Sequence, residues 1–383
     1  MSPVRTFPQE RIFFTSSIAN NRRPATAFPP PPFAAADGFR IIEGMTSPVA
    51  GGPECGFWAR LPRPFLCLAP MSNITDVAMR RVLAQHAKPD VIFTEFVSTA
   101  GLCSRKGRPK LLPDLCSDES VRPIVAQFFG REPEQFNKCA RLARELGYDG
   151  VDINLGCPDR SVLRQGAGSS LIREPALVRE IVAAAKEGAD SIPVSVKTRL
   201  GYSQNTIETW IPQLLETRPA VLSLHGRTRK QRYLGHADWN AIADAARLAH
   251  AAGVLLVGNG DVADRADALG HARDYGVDGV MIGRAVIGNP WIFCEKKRRT
   301  DIPREELLEI VCEHARLYEE LYAGIKNFAN VRKHLKNYVA DFDGAKALRI
   351  ALVHAESAAH VREIASDFLA GHLPGQHAEA HEM

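Results

Sequence analysis

No stretch of the chain is apolar over the ~18 residues that a membrane-spanning helix requires, so a transmembrane helix is excluded. None of the eight cysteines forms a C-x-x-C pair or stands at zinc or iron–sulfur spacing, which argues against a bound metal. A chain of 383 residues has no need of disulfide staples either. The thiols are therefore expected to be reduced, in an intracellular protein, most of them as small buried hydrophobes. No G-x-G-x-x-G turn follows the first predicted strand, which counts against a dinucleotide-binding doubly wound sheet. A strong excess of one charge is missing too. Lys and Arg total 48 against 44 Asp and Glu, a net charge of +4, so a nucleic-acid role requires the positive charge to be concentrated somewhere. With 45% hydrophobic and 24% charged residues, wholesale disorder and a fibrous fold are out.

What is present is unevenly spread. Eleven of the 25 prolines fall in the first 64 residues, including the run Pro29, Pro30, Pro31 and Pro32, which favours polyproline II and joins no helix or sheet. Residues 1–60 are thus expected to be a disordered, proline-rich extension. Within 1–40, five arginines face two acids, so a mitochondrial or plastid transit peptide is the alternative to a cytoplasmic protein with an unstructured tail or a start at Met45.

From about residue 63 short apolar strands alternate with amphipathic helical stretches. Strands are predicted at 65–69, 91–95, 124–128, 151–155, 194–197, 221–224, 254–257 and 279–282. Helices are predicted between them at 76–85, 133–146, 175–186, 207–216, 238–251 and 263–275, several opening on a proline or an acid. Eight such repeats over 61–300 predict an α/β fold, a (β/α)8 TIM barrel. Beyond residue 300 the strands stop. Helical patterns at 305–322, 327–339, 344–357 and 358–370 predict a small all-α domain over 301–370, followed by a frayed tail over 371–383.

Barrel chemistry sits at the C-terminal ends of the strands. Read in order, those ends carry Pro70, Met71 and Ser72; Thr94 and Glu95; Gln127; Asn154 and Cys157; Lys197 and Arg199; His225; Asn259, Gly260 and Asp261; and Gly283 and Arg284. The turns after the last two strands are where barrels hold a phosphate on backbone N–H groups, with Arg284 adding charge-assisted bonds. Lys197 lies mid-strand, where an unpaired ammonium is costly. It calls for an anionic or electron-rich partner such as a reduced flavin, or else an ion pair with Glu95 or Asp152. Gln127 suits the pyrimidine edge of the same ring, and His225 a position beside it.

The segments Ala69-Pro70-Met71-Ser72-Asn73-Ile74-Thr75-Asp76, Asn154-Leu155-Gly156-Cys157-Pro158 with Gly166-Ala167-Gly168, Lys197-Thr198-Arg199-Leu200-Gly201, His225-Gly226-Arg227-Thr228, Gly258-Asn259-Gly260-Asp261 and Gly283-Arg284 resemble, in that order, those of the tRNA-dihydrouridine synthases. The likeness runs over roughly 63–340 and includes Arg332-Lys333-His334. It implies an FMN enzyme that reduces the C5=C6 bond of selected tRNA uridines with NADPH as reductant. The implied flavin contacts are Pro70, Met71, Ser72, Gln127, Lys197, His225, Asn259, Gly260, Asp261, Gly283 and Arg284, and the implied catalytic acid is Cys157. The long N-terminus is extra, and Ser72 stands where the family often has Ala or Gly.

That chemistry suits the residues. C6 of uracil is the β carbon of an enone, so hydride is expected there, with a proton then delivered to C5. A thiol is mostly protonated at pH 7 and can serve as that acid. Asn154 and Arg199 are candidates for the uracil edge. A base in folded tRNA must be turned out of its stack, which calls for a cationic grip on the backbone. Acid-free runs occur at 104–110, 296–299 and 326–338, and Arg227, Arg229, Lys230 and Arg232 crowd one loop. Arg332 and Lys333 are expected to bind tRNA from the helical domain. No metal is expected, and a monomer is the default. Two other readings fit fewer features: a flavin barrel that reduces a free pyrimidine or enone, and a tRNA-binding protein with a secondary redox role.

Overall fold

A computed structural model describes residues 53–117 and 119–372. Most of the expected extension and the tail from 373 onward lie outside them. Eight parallel strands close in sequence order, with β1 paired to both β2 and β8: β1 Phe65–Leu68, β2 Val91–Ser98, β3 Ile124–Phe129, β4 Gly150–Asn154, β5 Val194–Arg199, β6 Val221–His225, β7 Leu255–Asn259 and β8 Gly279–Ile282. This is the (β/α)8 barrel that the alternating pattern predicts. The strands are apolar without alternation because side chains inside meet the barrel core and those outside meet helices.

The helices are α1 Val77–His86, α2 Thr99–Cys103, α3 Arg108–Leu111, α4 Pro133–Glu145, α5 Arg160–Leu163, α6 Pro175–Ala189, α7 Ile207–Leu215, α8 Trp239–Ala251, α9 Arg265–Tyr275, α10 Arg304–Tyr322, α11 Arg332–Tyr338, α12 Ala345–His354 and α13 Ala358–Leu369. Their starts follow local chemistry. Asp76, Asp238 and Asp264 each accept an N–H from the first turn of α1, α8 and α9, and prolines open α4 and α6 where no amide donor is required. Among the described residues no helix is long and apolar enough to cross a membrane.

Two differences from the sequence reading stand out. The helix expected over 327–339 is split, because the Asn327 carboxamide accepts the Ala329 N–H and caps a separate 3-10 turn, Phe328–Asn330, ahead of α11. The other concerns the extension. Residues Pro53–Arg60, assigned to it, instead form 3-10 turns on either side of a kink at Gly56. They drive Trp58, fully buried, against Phe65 and Phe93 in the lower layer of the barrel interior, with ring centroids 5.6 and 6.1 Å away. The proline-rich texture continues into this segment and hides one apolar anchor.

The C-terminal helices share a second core with the outer face of α1: Val77, Ala78 and Val82 pack with Leu307, Val311, Leu335 and Leu348. Polar links reinforce the seam. Tyr322 Oη accepts the Val77 N–H at 3.2 Å, and His86 meets Glu313 at 2.9 Å. The helix that follows the first strand therefore belongs to both bodies.

Trp58→Ala removes a large side chain that fills the barrel floor. It should cost about 3–5 kcal/mol of unfolding free energy, read as a lower denaturation midpoint with the strand content of the folded protein unchanged.

Candidate active site

Parallel register decides which rim residues become neighbours. Asn154 lies beside Lys197, Arg199 beside His225, and His225 beside Asn259. Around them opens a cavity of about 1130 Å³, walled by the turns after the strands. It takes in thirteen of the residues picked out from the sequence: Pro70, Met71, Ser72, Asn154, Cys157, Lys197, Arg199, His225, Asn259, Gly260, Asp261, Gly283 and Arg284.

Lys197 forms neither of the ion pairs considered above. Its ammonium donates to Asn259 Oδ1 at 3.0 Å, and the Asn259 amide in turn donates to the Met281 carbonyl at 2.8 Å. Burial, with Arg199 nearby, pushes the lysine down to about 8 against the pull of Asp152 and Cys157. It is a cation held by one neutral partner at the edge of an open cavity, which suits an anionic or electron-rich ligand. His225 is pushed well below its ordinary value by burial and by Arg199, Lys197, Arg227 and Arg284, so it is a neutral imidazole at pH 7.

The Cys157 loop is built from beneath. The Asn154 carboxamide oxygen accepts the Gly156 and Cys157 N–H groups at 3.1 and 2.9 Å. From behind, Ser169 donates its N–H and hydroxyl to the Cys157 carbonyl at 3.1 and 2.9 Å. Gly168, at φ 61, admits this approach, since a Cβ there would meet the Cys157 carbonyl oxygen at 2.9 Å. The thiol itself is half-buried. Burial pushes it up from its ordinary value, which outweighs the opposing charges of Arg199 and Lys197, so it stays protonated at neutral pH.

Opposite, the turn after β7 is strained in a useful way. Gly260 has φ 133, and a Cβ there would lie 2.6 Å from that of Ala237. Asp261 follows at φ 52. Its carboxylate accepts from Arg227 at 2.5 Å, from the Ala237 N–H at 2.8 Å and from Arg284 at 3.1 Å. Burial acts to raise Asp261, but these partners outweigh it and hold the carboxyl below its usual range. One face of the cavity is thus a cationic rim with close backbone approach, the chemistry a phosphate requires.

The pattern of the dihydrouridine synthase family (Dus) matches residues 67–370. The chain belongs to this family. It is 39% identical over 316 residues to a probable tRNA-dihydrouridine synthase of Staphylococcus aureus strain COL, covering 82% of this chain and 95% of that one. It is 39% identical over 323 residues to probable tRNA-dihydrouridine synthase 2 of Bacillus subtilis strain 168, covering 83% and 98%. A solved 2-naphthoyl-CoA reductase in complex with 2-naphthoyl-CoA shares the fold at 13% identity and a TM-score of 0.50, over 71% of this chain and 55% of that one.

Against this dihydrouridine synthase frame, several predicted residues sit differently. Gln127, expected at the flavin edge, is fully buried beneath the cavity. It donates to Asp152 at 2.6 Å and accepts from Asn154 at 2.9 Å. Asp152, raised to about 6 by burial, also accepts from Ser195 at 2.5 Å. Ser195, Asp152, Gln127 and Asn154 thereby form a buried relay under the cysteine loop. The sequence offers Asp152 only as an ion-pair partner for Lys197; its place in this relay follows from lying two residues before Asn154 on the same face of β4. Arg199 binds the carbonyls of Gly156, Thr228 and Arg232 at 2.7, 3.2 and 2.9 Å, so it braces two rim loops. Arg332 and Lys333 lie outside the cavity. Arg332 donates to the Ala355 carbonyl at 2.6 Å. Of the basic loop after β6, Arg227 is buried, whereas Lys230 and Arg232 are exposed. Tyr233 went unremarked in the sequence. It stands 57% exposed at the cavity mouth, with the Arg199 and Arg284 guanidinium groups 5.9 and 5.4 Å from its ring centre.

Because the folded Lys197 ammonium is depressed from 10.5 to about 8, ionised lysine opposes folding below pH 8, and this opposition fades as pH rises toward 10.5. Lys197→Met in the ligand-free protein should therefore raise the melting temperature at pH 7. The gain should shrink above pH 8 in a series of thermal melts.

Proposed function

We propose that this dihydrouridine synthase reduces the C5=C6 bond of uridines in tRNA, using FMN reduced by NADPH. The observation that carries the reading is a half-buried thiol, Cys157, lining the same cavity as an ammonium, Lys197, that has one neutral partner. FMN, when bound, would supply the hydride chemistry for C6 of the base.

The chain's own residues divide the remaining work. Lys197 would hold the electron-rich edge of the flavin and steady negative charge there. Backbone N–H groups around Gly260 and Gly283, with Arg284, take the phosphate. The neutral His225 can hydrogen-bond without adding charge beside the ring. Hydride arrival at C6 leaves enolate character at C5, and the Cys157 thiol donates its proton to C5. The Asn154 carboxamide holds the loop that aims it, steadied by Gln127 and Asp152 below. The 1130 Å³ cavity exceeds the roughly 300–1,000 Å³ of ordinary ligand sites. It has room for a flat cofactor with a base laid on it.

For the tRNA grip we assign the exposed cations. Arg105, Lys106, Arg108 and Lys110 follow β2, Lys230 and Arg232 follow β6, and Lys296 and Arg298 lead into the helical region. Arg332 and Lys333 are kept as helical-domain contacts, although the Arg332 bond to Ala355 gives that residue a packing role as well.

Cys157→Ala should bind FMN and be reduced by NADPH as the parent is, while dihydrouridine formation on tRNA falls at least ~100-fold. Near-parental product, measured by mass spectrometry of digested tRNA, would remove the thiol from the mechanism. Replacing Lys106, Arg108 and Lys110 with Gln should raise KM for tRNA and flatten its dependence on salt, with each lost phosphate contact reducing the logarithmic slope by roughly 0.7–0.9. The flavin spectrum should not change.

A further inference from the structure

The residues assigned above leave one buried acid unexplained. Glu95 lies near the end of β2, where the β2–β3 register shifts between Phe93 and Phe96. On either side of this irregularity the chain changes face. Phe96 joins the cavity wall, while Glu95 turns behind it and is 7% exposed. One carboxyl oxygen accepts the Asn73 backbone N–H, and the other is buried with no hydrogen-bond partner. A buried carboxyl with an open lone pair is costly and calls for an explanation.

The partner it does have supplies one. Asn73 is the residue of the β1–α1 loop with a left-handed backbone, φ 57. Only a minority of non-glycine residues adopt this conformation, and here a bond to the amide holds it. The same loop carries Met71, Ser72, Asn73 and Ile74 into the cavity wall. Its other end is anchored by Asp76 capping α1 and by Arg80, which donates to the Thr75 carbonyl at 2.7 Å. At Asn73 itself, Glu95 supplies the only side-chain bond to the backbone N–H in the described structure.

We propose that Glu95 is a positioning residue, which sets the cavity-lining shape of the β1–α1 loop through the Asn73 amide. The inference rests on the functional reading above only for what the loop is shaped to hold. The groups facing Glu95 come from every element packed on it. Asp76 comes from the loop and Asp114 from the 3-10 turn Leu112–Leu115. The C-terminal region supplies Lys326, Lys333 and the phenols of Tyr318 and Tyr322. Lys326 is itself paired with Asp114 and lies 4.5 Å over the Tyr322 ring, so it is not free to neutralise Glu95 fully. Burial, with Asp76 and Asp114 adding to it, moves the carboxyl up to about 7. Glu95 ionisation then opposes folding as pH rises from about 5 through 7, because the folded state holds the proton more tightly than the unfolded chain.

Two variants of the full-length protein test this. Glu95→Gln keeps a carbonyl acceptor for Asn73 and cannot ionise, whereas Glu95→Ala removes the acceptor. Deuterium exchange of the peptide covering 70–76 in the flavin-free protein should quicken at least tenfold in the Ala variant and return to the parental rate in the Gln variant. FMN affinity, followed by quenching of flavin fluorescence, should fall about tenfold in the Ala variant and recover in the Gln variant. The Gln variant should also melt higher than the parent at pH 8, with the difference shrinking toward pH 5. Parental loop exchange in the Ala variant, or no rescue by Gln, overturns the proposal. If the parental protein takes up no FMN, the flavin reading fails instead, and the exchange and melting measurements still decide the role of Glu95.

Discussion

The rim depends on the side-by-side register of parallel strands. In an open sheet, Asn154, Lys197, His225 and Asn259 would spread along an edge. Closing β8 onto β1 bends that edge into a ring, so polar groups more than a hundred residues apart in sequence face one cavity. The ring is tolerated in an apolar barrel because these polar groups are answered by neighbours one or two strands away. Lys197 meets Asn259, and Gln127 joins Asp152 to Asn154.

Electrostatics then separates roles among groups that composition alone treats alike. Burial, with the nearby charges of Arg199, Lys197, Arg227 and Arg284 adding to it, keeps His225 neutral. Arg199 and Lys197 also act to lower the Cys157 thiol, but burial prevails and leaves it protonated. A cationic wall suited to anions thus coexists with an uncharged acid that lines the same cavity. Asp261 limits the positive field by pairing with both Arg227 and Arg284, which leaves a rim suited to an anion without an excess of bare charge.

The C-terminal helices matter to this site through α1. Their core includes Val77, Ala78 and Val82, and Tyr322 meets the first turn of that helix, so whatever they bind is mechanically close to the β1–α1 loop. Glu95 lies at the meeting point of the loop, β2 and the cations of that region.

Much of this was legible in one dimension. Apolar runs of four to six residues separated by capped amphipathic stretches determined eight strands and their order, because periodicity and capping are local. Glycines at sites of close approach and the polar residues at strand ends marked the rim for the same reason. Four matters were decided only by tertiary structure. Gln127 bonds the buried Asp152 carboxylate and the Asn154 carboxamide. Arg199 and Arg227 brace loops. Trp58, inside a proline-rich segment, closes the barrel floor. Glu95 and Asp152 are buried acids with altered affinities for protons. Each depends on which groups from distant parts of the chain arrive within hydrogen-bond reach, and on how much water they exclude. Sequence spacing records neither.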